Sequence, residues 1–207
     1  MCFHSRQSKE AEILEQRFNA KVEEGCNVMS NHYTGAEHPY TPIITDIAKD
    51  KIQLFTWGLI PEWARDKSIQ TYTLNAKIES LSEKPAFQSS ISKRCLVLAD
   101  GFMEWQSLDA KGKKKRQHLI TLPNDELFAF AGLWSEWTHK ITGEITQSYT
   151  VVTTEANPLM AEINNSKKRM PVILTPENES DWLAGKDVAE FTTCDVELKS
   201  TMILRKQ

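Results

Sequence analysis

Between residues 94 and 155 the sequence is a succession of β-rich runs separated only by turns. RCLVLA (94–99) leads into GFMEW, the polar stretch SLDAKGKKKRQ leads to HLITL, and ELFAFAGLWSEW is joined to TQSYTVVTT by a turn at Thr142-Gly143-Glu144. Branched and aromatic residues recur in these runs as they do in strands. Connections this short cannot carry a parallel crossover, so neighbouring runs pair antiparallel. KIQLFTWGLIPEW (51–63) reads as a further strand running into a turn at Pro61, and MPVIL (170–174) as another. Helices are few. Residues 8–20 place Ala11, Leu14 and Phe18 on one face with Ser8 as N-cap, and a short helix falls around 156–165. Thr175-Pro176-Glu177 opens the last helix with a capping Thr and a first-turn Pro. No βαβ alternation appears. The expected class is α+β: one domain over residues 1–207, built on a curved, mainly antiparallel, barrel-like sheet with a few flanking helices.

With 207 residues, 40% hydrophobic and 26% charged, the chain has length and apolar content enough for a core. No apolar run approaches the ~20 residues of a membrane span. The start, MCFHSRQSKEAEILEQ, lacks the apolar stretch of a secretory signal, so a cytoplasmic protein is expected, nucleoid-associated when bound to DNA. The net charge of −3 excludes a binder that works by bulk positive charge. Nucleic-acid binding would need a local basic surface from Lys93-Arg94, Lys113 to Arg116, or Lys167-Lys168-Arg169, each of which alone reads as a solvated face. Cys2, Cys26, Cys95 and Cys194 form no CxxC pair, and the five histidines form no HxH or HExxH spacing. Free thiols and no metal site are expected.

The N-terminus carries the chemistry. Removal of Met1, which a small second residue permits, leaves Cys2 with a free amine and a thiol on adjacent carbons. Both groups are partly nucleophilic near neutral pH. The amine can attack an aldehyde to give an imine, and the thiol can then close a thiazolidine ring. In TLNAKIES, Asn75 and Lys77 are two apart and project from the same face of an extended chain. In DGFMEW, Glu104 can take a proton from the Cys2 amine and return one to a sugar oxygen. Arg169, at a strand entrance before Met170-Pro171, suits phosphate.

MCFH, WGLIPEW, LNAKIES, EKPAF, KRCLVLADGFMEW, TTEAN and KKRMPVIL, in this order over roughly residues 1 to 175, resemble the SRAP (SOS response-associated peptidase) family, known for shielding abasic sites in single-stranded DNA. The resemblance implies that Cys2 is the covalent nucleophile, that Asn75 orients the Cys2 end or the sugar, and that Glu104 shuttles protons. It implies phosphate contacts at Lys77 and Arg169, and groove walls at Trp57 and Trp63 that stack on or wedge beside a base. The partner implied is single-stranded DNA containing abasic sites, the protein is expected to act as a monomer, and no cofactor is implied. Three departures stand out. Asn164 replaces the family's usual proton-handling histidine, and asparagine does not exchange protons near neutral pH. Met103 stands where an aromatic residue is common. Lys77 replaces arginine, which keeps the charge and loses the bidentate geometry. Two alternatives remain open: a thiol (auto)peptidase, and a non-covalent single-strand-binding module attenuated at Asn164.

Overall fold

A computed structural model of the protein describes residues 2–193 and 196–203, and Met1 and Cys194 lie outside the described residues. From the N-terminus come β1 (His4–Gln7), α1 (Ala11–Phe18), β2 (Lys21–Val22), β3 (Asn31–Thr34), β4 (Tyr40–Thr45) and β5 (Ala48–Trp57). The middle holds β6 (Asn75–Lys77), α2 (Pro85–Gln88), β7 (Arg94–Ala99), β8 (Gly101–Ser107), β9 (Lys115–Thr121), β10 (Phe128–Thr138) and β11 (Ile145–Glu155). Then follow α3 (Pro158–Ile163), β12 (Arg169–Pro171), β13 (Ile173–Leu174), α4 (Pro176–Leu183) and β14 (Lys199–Ile203).

Antiparallel neighbours run β11-β10-β7-β4-β5, and one parallel contact closes the ring: Ser148 and Tyr149 of β11 lie opposite Thr56 and Trp57 of β5. The result is the barrel that the curved-sheet expectation called for. β12 and β13 fill the place where β10 and β11 part, with Met170 opposite Thr154 and Ile173 opposite Phe130. The other sheet runs β14-β9-β8-β1-β3.

Alternation along the ring strands feeds two cores. Ile43, Phe55, Val97, Phe130 and Tyr149 face the core that continues into Phe102 and Ile120 of the other sheet and Met160 and Ile163 of α3. Ile44, Ile52, Leu96, Ala131 and Val152 face outward onto Leu14 of α1 and Trp182 of α4. Trp182 is fully buried, and its indole N–H donates to the carbonyls of Cys95 (3.1 Å) and Gly132 (3.3 Å). Truncating such a side chain costs about 3–5 kcal/mol.

The strand at 94–99, the hairpin after it, the turn at 142–144 and the last helix stand where the sequence placed them. In α4, Asn178 accepts the Thr175 N–H at 2.8 Å, and Pro176 occupies the first turn. Three elements differ. Helix α1 is capped by Glu10 without a side-chain hydrogen bond, because the Ser8 hydroxyl goes instead to the buried carboxylate of Asp100. β5 ends at Trp57 rather than Pro61, because Gly58 turns the chain at φ +112°. A Cβ on Gly58 would sit 2.8 Å from Cβ of Gln70, so that position admits only glycine. MPVIL divides into two short strands, one on β11 and one on β10. Cys2, Cys26 and Cys95 are free thiols, as expected.

Candidate active site

β6 pairs in parallel with β11, Asn75 opposite Val151 and Lys77 opposite Thr153. Ala76 between them is buried, which turns Asn75 and Lys77 to the other face, as their spacing demanded. From this fixed strand the Asn75 amide donates to the carbonyl oxygen of Cys2 at 2.8 Å.

The N-terminal end is held from its other side by β1, which lies between β3 and β8. Arg6 sits opposite Gly101 of GFMEW. A Cβ on Gly101 would come within 3.1 Å of the Ile120 carbonyl and 3.3 Å of Arg6 Nε, so the glycine lets the strands close up. Arg6 Nε also donates to the Asp100 carboxylate at 2.9 Å. So anchored, Cys2 is fully buried, with its thiol 3.8 Å from the His4 carbonyl oxygen.

Glu104 projects from β8 with 5% of its surface exposed. Burial raises its carboxyl to about 7, because a carboxylate without water is costly. Burial first, and the Glu104 charge second, push the Cys2 thiol up to about 12. Cys2, Asn75 and Glu104, far apart in sequence, therefore share one site.

Asn164 ends α3, buried, and its amide donates to the Arg169 carbonyl at 2.9 Å. Arg169 is not free. Its guanidinium grips both oxygens of Glu79 at 2.6 and 2.9 Å and donates to the Thr153 carbonyl at 2.7 Å. Burial, the largest single cause, acts to raise Glu79, but the Arg169 hydrogen bonds, a backbone hydrogen bond and the Arg169 and Lys77 charges together hold the carboxyl below its ordinary range. Lys77 is exposed to solvent.

The tryptophans separate. Trp57, expected at a groove wall, is a core residue: it is 0% exposed, stacks with Tyr149 at 6.1 Å and donates to the Leu74 carbonyl at 2.9 Å. It has no face left for a base. Trp63 is 54% exposed, with its indole N–H on the Pro85 carbonyl. Pro85 lines an open groove of about 650 Å³ together with Tyr72, Asn75, Lys77, Glu79 and Lys84. Tyr72, 84% exposed at the end of a 3-10 helix (Lys67–Tyr72), and Glu79, in the 3-10 turn that follows β6, were missed from sequence, because neither position carries a periodic signature. A larger hollow, about 1000 Å³, has a net acidic lining: Glu12, Glu15, Glu23, Glu24 and Asp50 face two lysines, Lys21 and Lys51, which are paired to Glu15 and Glu23. Among the described residues no cluster of three or more His, Cys, Asp or Glu side chains is arranged for a metal.

Of the basic runs, Lys93-Arg94 is no patch. Lys93 pairs with Glu62, and Arg94 is buried over the Trp182 ring at 4.4 Å. No described helix is long and apolar enough to cross a membrane.

Residues 1–202 match the family described as SOS response associated peptidase (SRAP). The chain is 44% identical over 146 residues to the abasic site processing protein YoqW of Bacillus subtilis, a stretch covering 70% of this chain and 62% of that protein. It is 31% identical over 170 residues to the abasic site processing protein HMCES of Xenopus tropicalis, covering 72% of this chain and 49% of the relative. The matched stretch is thus under two thirds of either relative. A crystal structure of a Bacteroides thetaiotaomicron protein superposes with a TM-score of 0.89 at 31% identity, covering 99% of this chain and 93% of that one.

Proposed function

The chain belongs to the SOS response associated peptidase family, and on that premise we propose that it recognises abasic sites in single-stranded DNA and bonds to them covalently through Cys2. The observation that carries the reading is the convergence on Cys2 of the Asn75 amide, at 2.8 Å, and of the buried Glu104 carboxyl that raises its thiol. The names of the relatives, as abasic site processing proteins, give the substrate class.

The reaction begins with removal of Met1, which frees the Cys2 amine. An abasic nucleotide in its open form presents an aldehyde at C1′. Ionised Glu104 takes a proton from the amine as the nitrogen lone pair attacks C1′ and passes it to the carbonyl oxygen, which gives the carbinolamine. It then carries the remaining N–H proton to the hydroxyl, which leaves as water, and the nitrogen lone pair forms the imine. The thiol then adds across the C=N bond, sulfur to C1′ and its proton to nitrogen, and closes the thiazolidine. The sum is protein plus DNA minus one water. A thiol pushed up to about 12 is a poor first nucleophile near neutral pH, which makes the amine lead and the sulfur follow. The same fact disfavours a general thiol peptidase, which needs the thiolate first. Lys77 and Trp63 border the groove and suit a phosphate and a base; each stacked base is worth about 1–3 kcal/mol. No cofactor enters the scheme.

Intact mass of the Met1-processed protein, mixed with a single-stranded abasic oligonucleotide and then denatured, tests this. The expected species is protein plus DNA minus water, absent in Cys2→Ala and slow in Glu104→Gln. A processed protein that binds the oligonucleotide and yields no adduct overturns covalent chemistry and leaves a binding module.

A further inference from the structure

We propose that the β8–β9 hairpin and the segment joining α3 to β12 form one basic surface that carries the phosphodiester backbone of the DNA strand leading away from the site. The inference rests on the abasic-site reading and extends it to an interaction surface. In sequence the two basic runs are about fifty residues apart. In the fold they are clasped together. Ser107, the last residue of β8, donates its N–H to Asn165 Oδ1 at 3.1 Å and accepts from Asn165 Nδ2 at 2.9 Å. The amide of Gln106 adds a 3.4 Å bond to the Glu162 carbonyl.

The hairpin is built to leave its cations free. Asp109 accepts the backbone N–H groups of Lys113 and Lys114, both at 2.9 Å, and those hydrogen bonds hold its carboxyl below the ordinary range. The turn is thus held by the backbone and by Gly112 at φ +63°, and no lysine side chain is needed to keep it. Lys111, Lys113, Lys114, Lys115 and Arg116 are all exposed, as are Lys167 and Lys168 across the clasp. Among the described residues none of them is in an ion pair, whereas Lys21, Lys51, Lys67, Lys93 and Lys186 all are. In a chain of net charge −3 this concentration of unpaired cations is a local reversal of sign. A hollow of about 620 Å³ lies in it, lined by Leu108, Lys111, Asn165 and Ser166.

Its position relative to the site fixes what it meets. Ser107 is three residues beyond Glu104 on one strand, about 10 Å at the usual rise. At about 3.4 Å per stacked nucleotide, the surface meets phosphates from about three nucleotides away from the lesion onward. A strand bonded at Cys2 is an anion that continues in both directions, and on one side it runs over this surface.

The test uses the full chain and the triple variant Lys111→Ala, Lys113→Ala, Lys114→Ala. Fluorescence anisotropy with an undamaged single-stranded oligonucleotide is read over a salt series. Each phosphate contact contributes about 0.7 to the slope of log K against log salt, so the variant should lose about 2 and bind at least about tenfold more weakly at 100 mM salt. Abasic oligonucleotides lengthened on one side of the lesion beyond about three nucleotides should gain affinity for the parent protein and not for the variant. The corresponding triple Lys→Arg variant should restore the slope, which separates charge from any damage to the hairpin. An unchanged slope and affinity, with the parent protein binding and forming adducts normally, overturns this surface and leaves the abasic-site reading intact. A parent protein that neither binds nor bonds to the DNA overturns both.

Discussion

Glu104→Gln should stabilise the folded protein in a pH-dependent way even as it slows the chemistry. Glu104 is 5% exposed, and its carboxyl is raised from 4.5 to about 7, burial being the largest cause. Between those two values the folded chain holds a proton that the unfolded chain has released. Stability therefore falls as pH rises from about 4.5 to about 7, and the full penalty, about 3 kcal/mol, is present above that window. Glutamine does not ionise, and whatever its amide gains or loses by geometry is the same at every pH. The shifts of His4, His32 and His118 are common to both proteins and cancel in the difference. Urea unfolding of parent and variant at pH 5 and pH 8 gives the quantity needed. The stability of Glu104→Gln relative to parent should be greater at pH 8 than at pH 5 by about 2–3 kcal/mol. For a chain of this length that is several degrees in Tm. The same substitution should slow adduct formation by about 10²–10⁴. The parent rate should fall as pH drops through about 7, where the base becomes protonated. An equal stability difference at both pH values would refute the argument, because it would mean that Glu104 is an ordinary solvated carboxylate.

The remaining predictions concern neighbouring residues. Asn164→His should speed adduct formation by restoring a proton-exchanging side chain at the end of α3, and a time course with no gain would count against that role. Trp63→Ala should leave thermal stability nearly unchanged and weaken DNA binding by about 1–3 kcal/mol, read by anisotropy. Trp57→Ala should do the reverse, lowering stability by about 3–5 kcal/mol in denaturant titration. With Met1 retained, Cys2 should resist alkylation by iodoacetamide at pH 8 far more than the partly exposed Cys26, because its thiol is raised to about 12; quantitative mass spectrometry would show equal labelling if that were wrong.

What could be read from the sequence was whatever depended on local periodicity. RCLVLA and ELFAFAGLWSEW are strands because both alternating faces find a core, and Thr175-Pro176 opens a helix because its first turn satisfies its own N–H groups. β1, β2, β3, β4 and β14 were not anticipated as strands, and β6 was read only as an extended segment. All but β4 are five residues or fewer, and each is held by a partner strand: β1 by β8 and β3, β2 by β5, β4 by β5 and β7, β6 by β11 and β14 by β9. Ser8 misled as a cap because its competitor, Asp100, lies on the other side of the chain's topology. Trp57 misled because an aromatic residue at a strand end, just before the turn at Gly58, reads alike whether it faces solvent or the Tyr149 ring. The closing of the barrel by a single parallel contact between β5 and β11 leaves no local mark at all.

Arg169 shows how far a correct residue type can be from a free contact. Its charge suits phosphate, as the sequence suggested, yet the fold already supplies it with an anion in Glu79 and with the Thr153 carbonyl. A buried guanidinium stripped of both would be strongly destabilising, so a phosphate reaching it must exchange for Glu79 rather than simply add. Glu79 sits on the turn that follows Lys77, and its side chain is 49% exposed on the groove. The pair therefore ties β6, and with it the Asn75 amide that holds Cys2, to the strand bearing Arg169. In the free protein Arg169 thus secures the strand that presents Cys2, whereas Lys77 and Lys84, exposed and in no ion pair among the described residues, are the groove's solvent-facing cations.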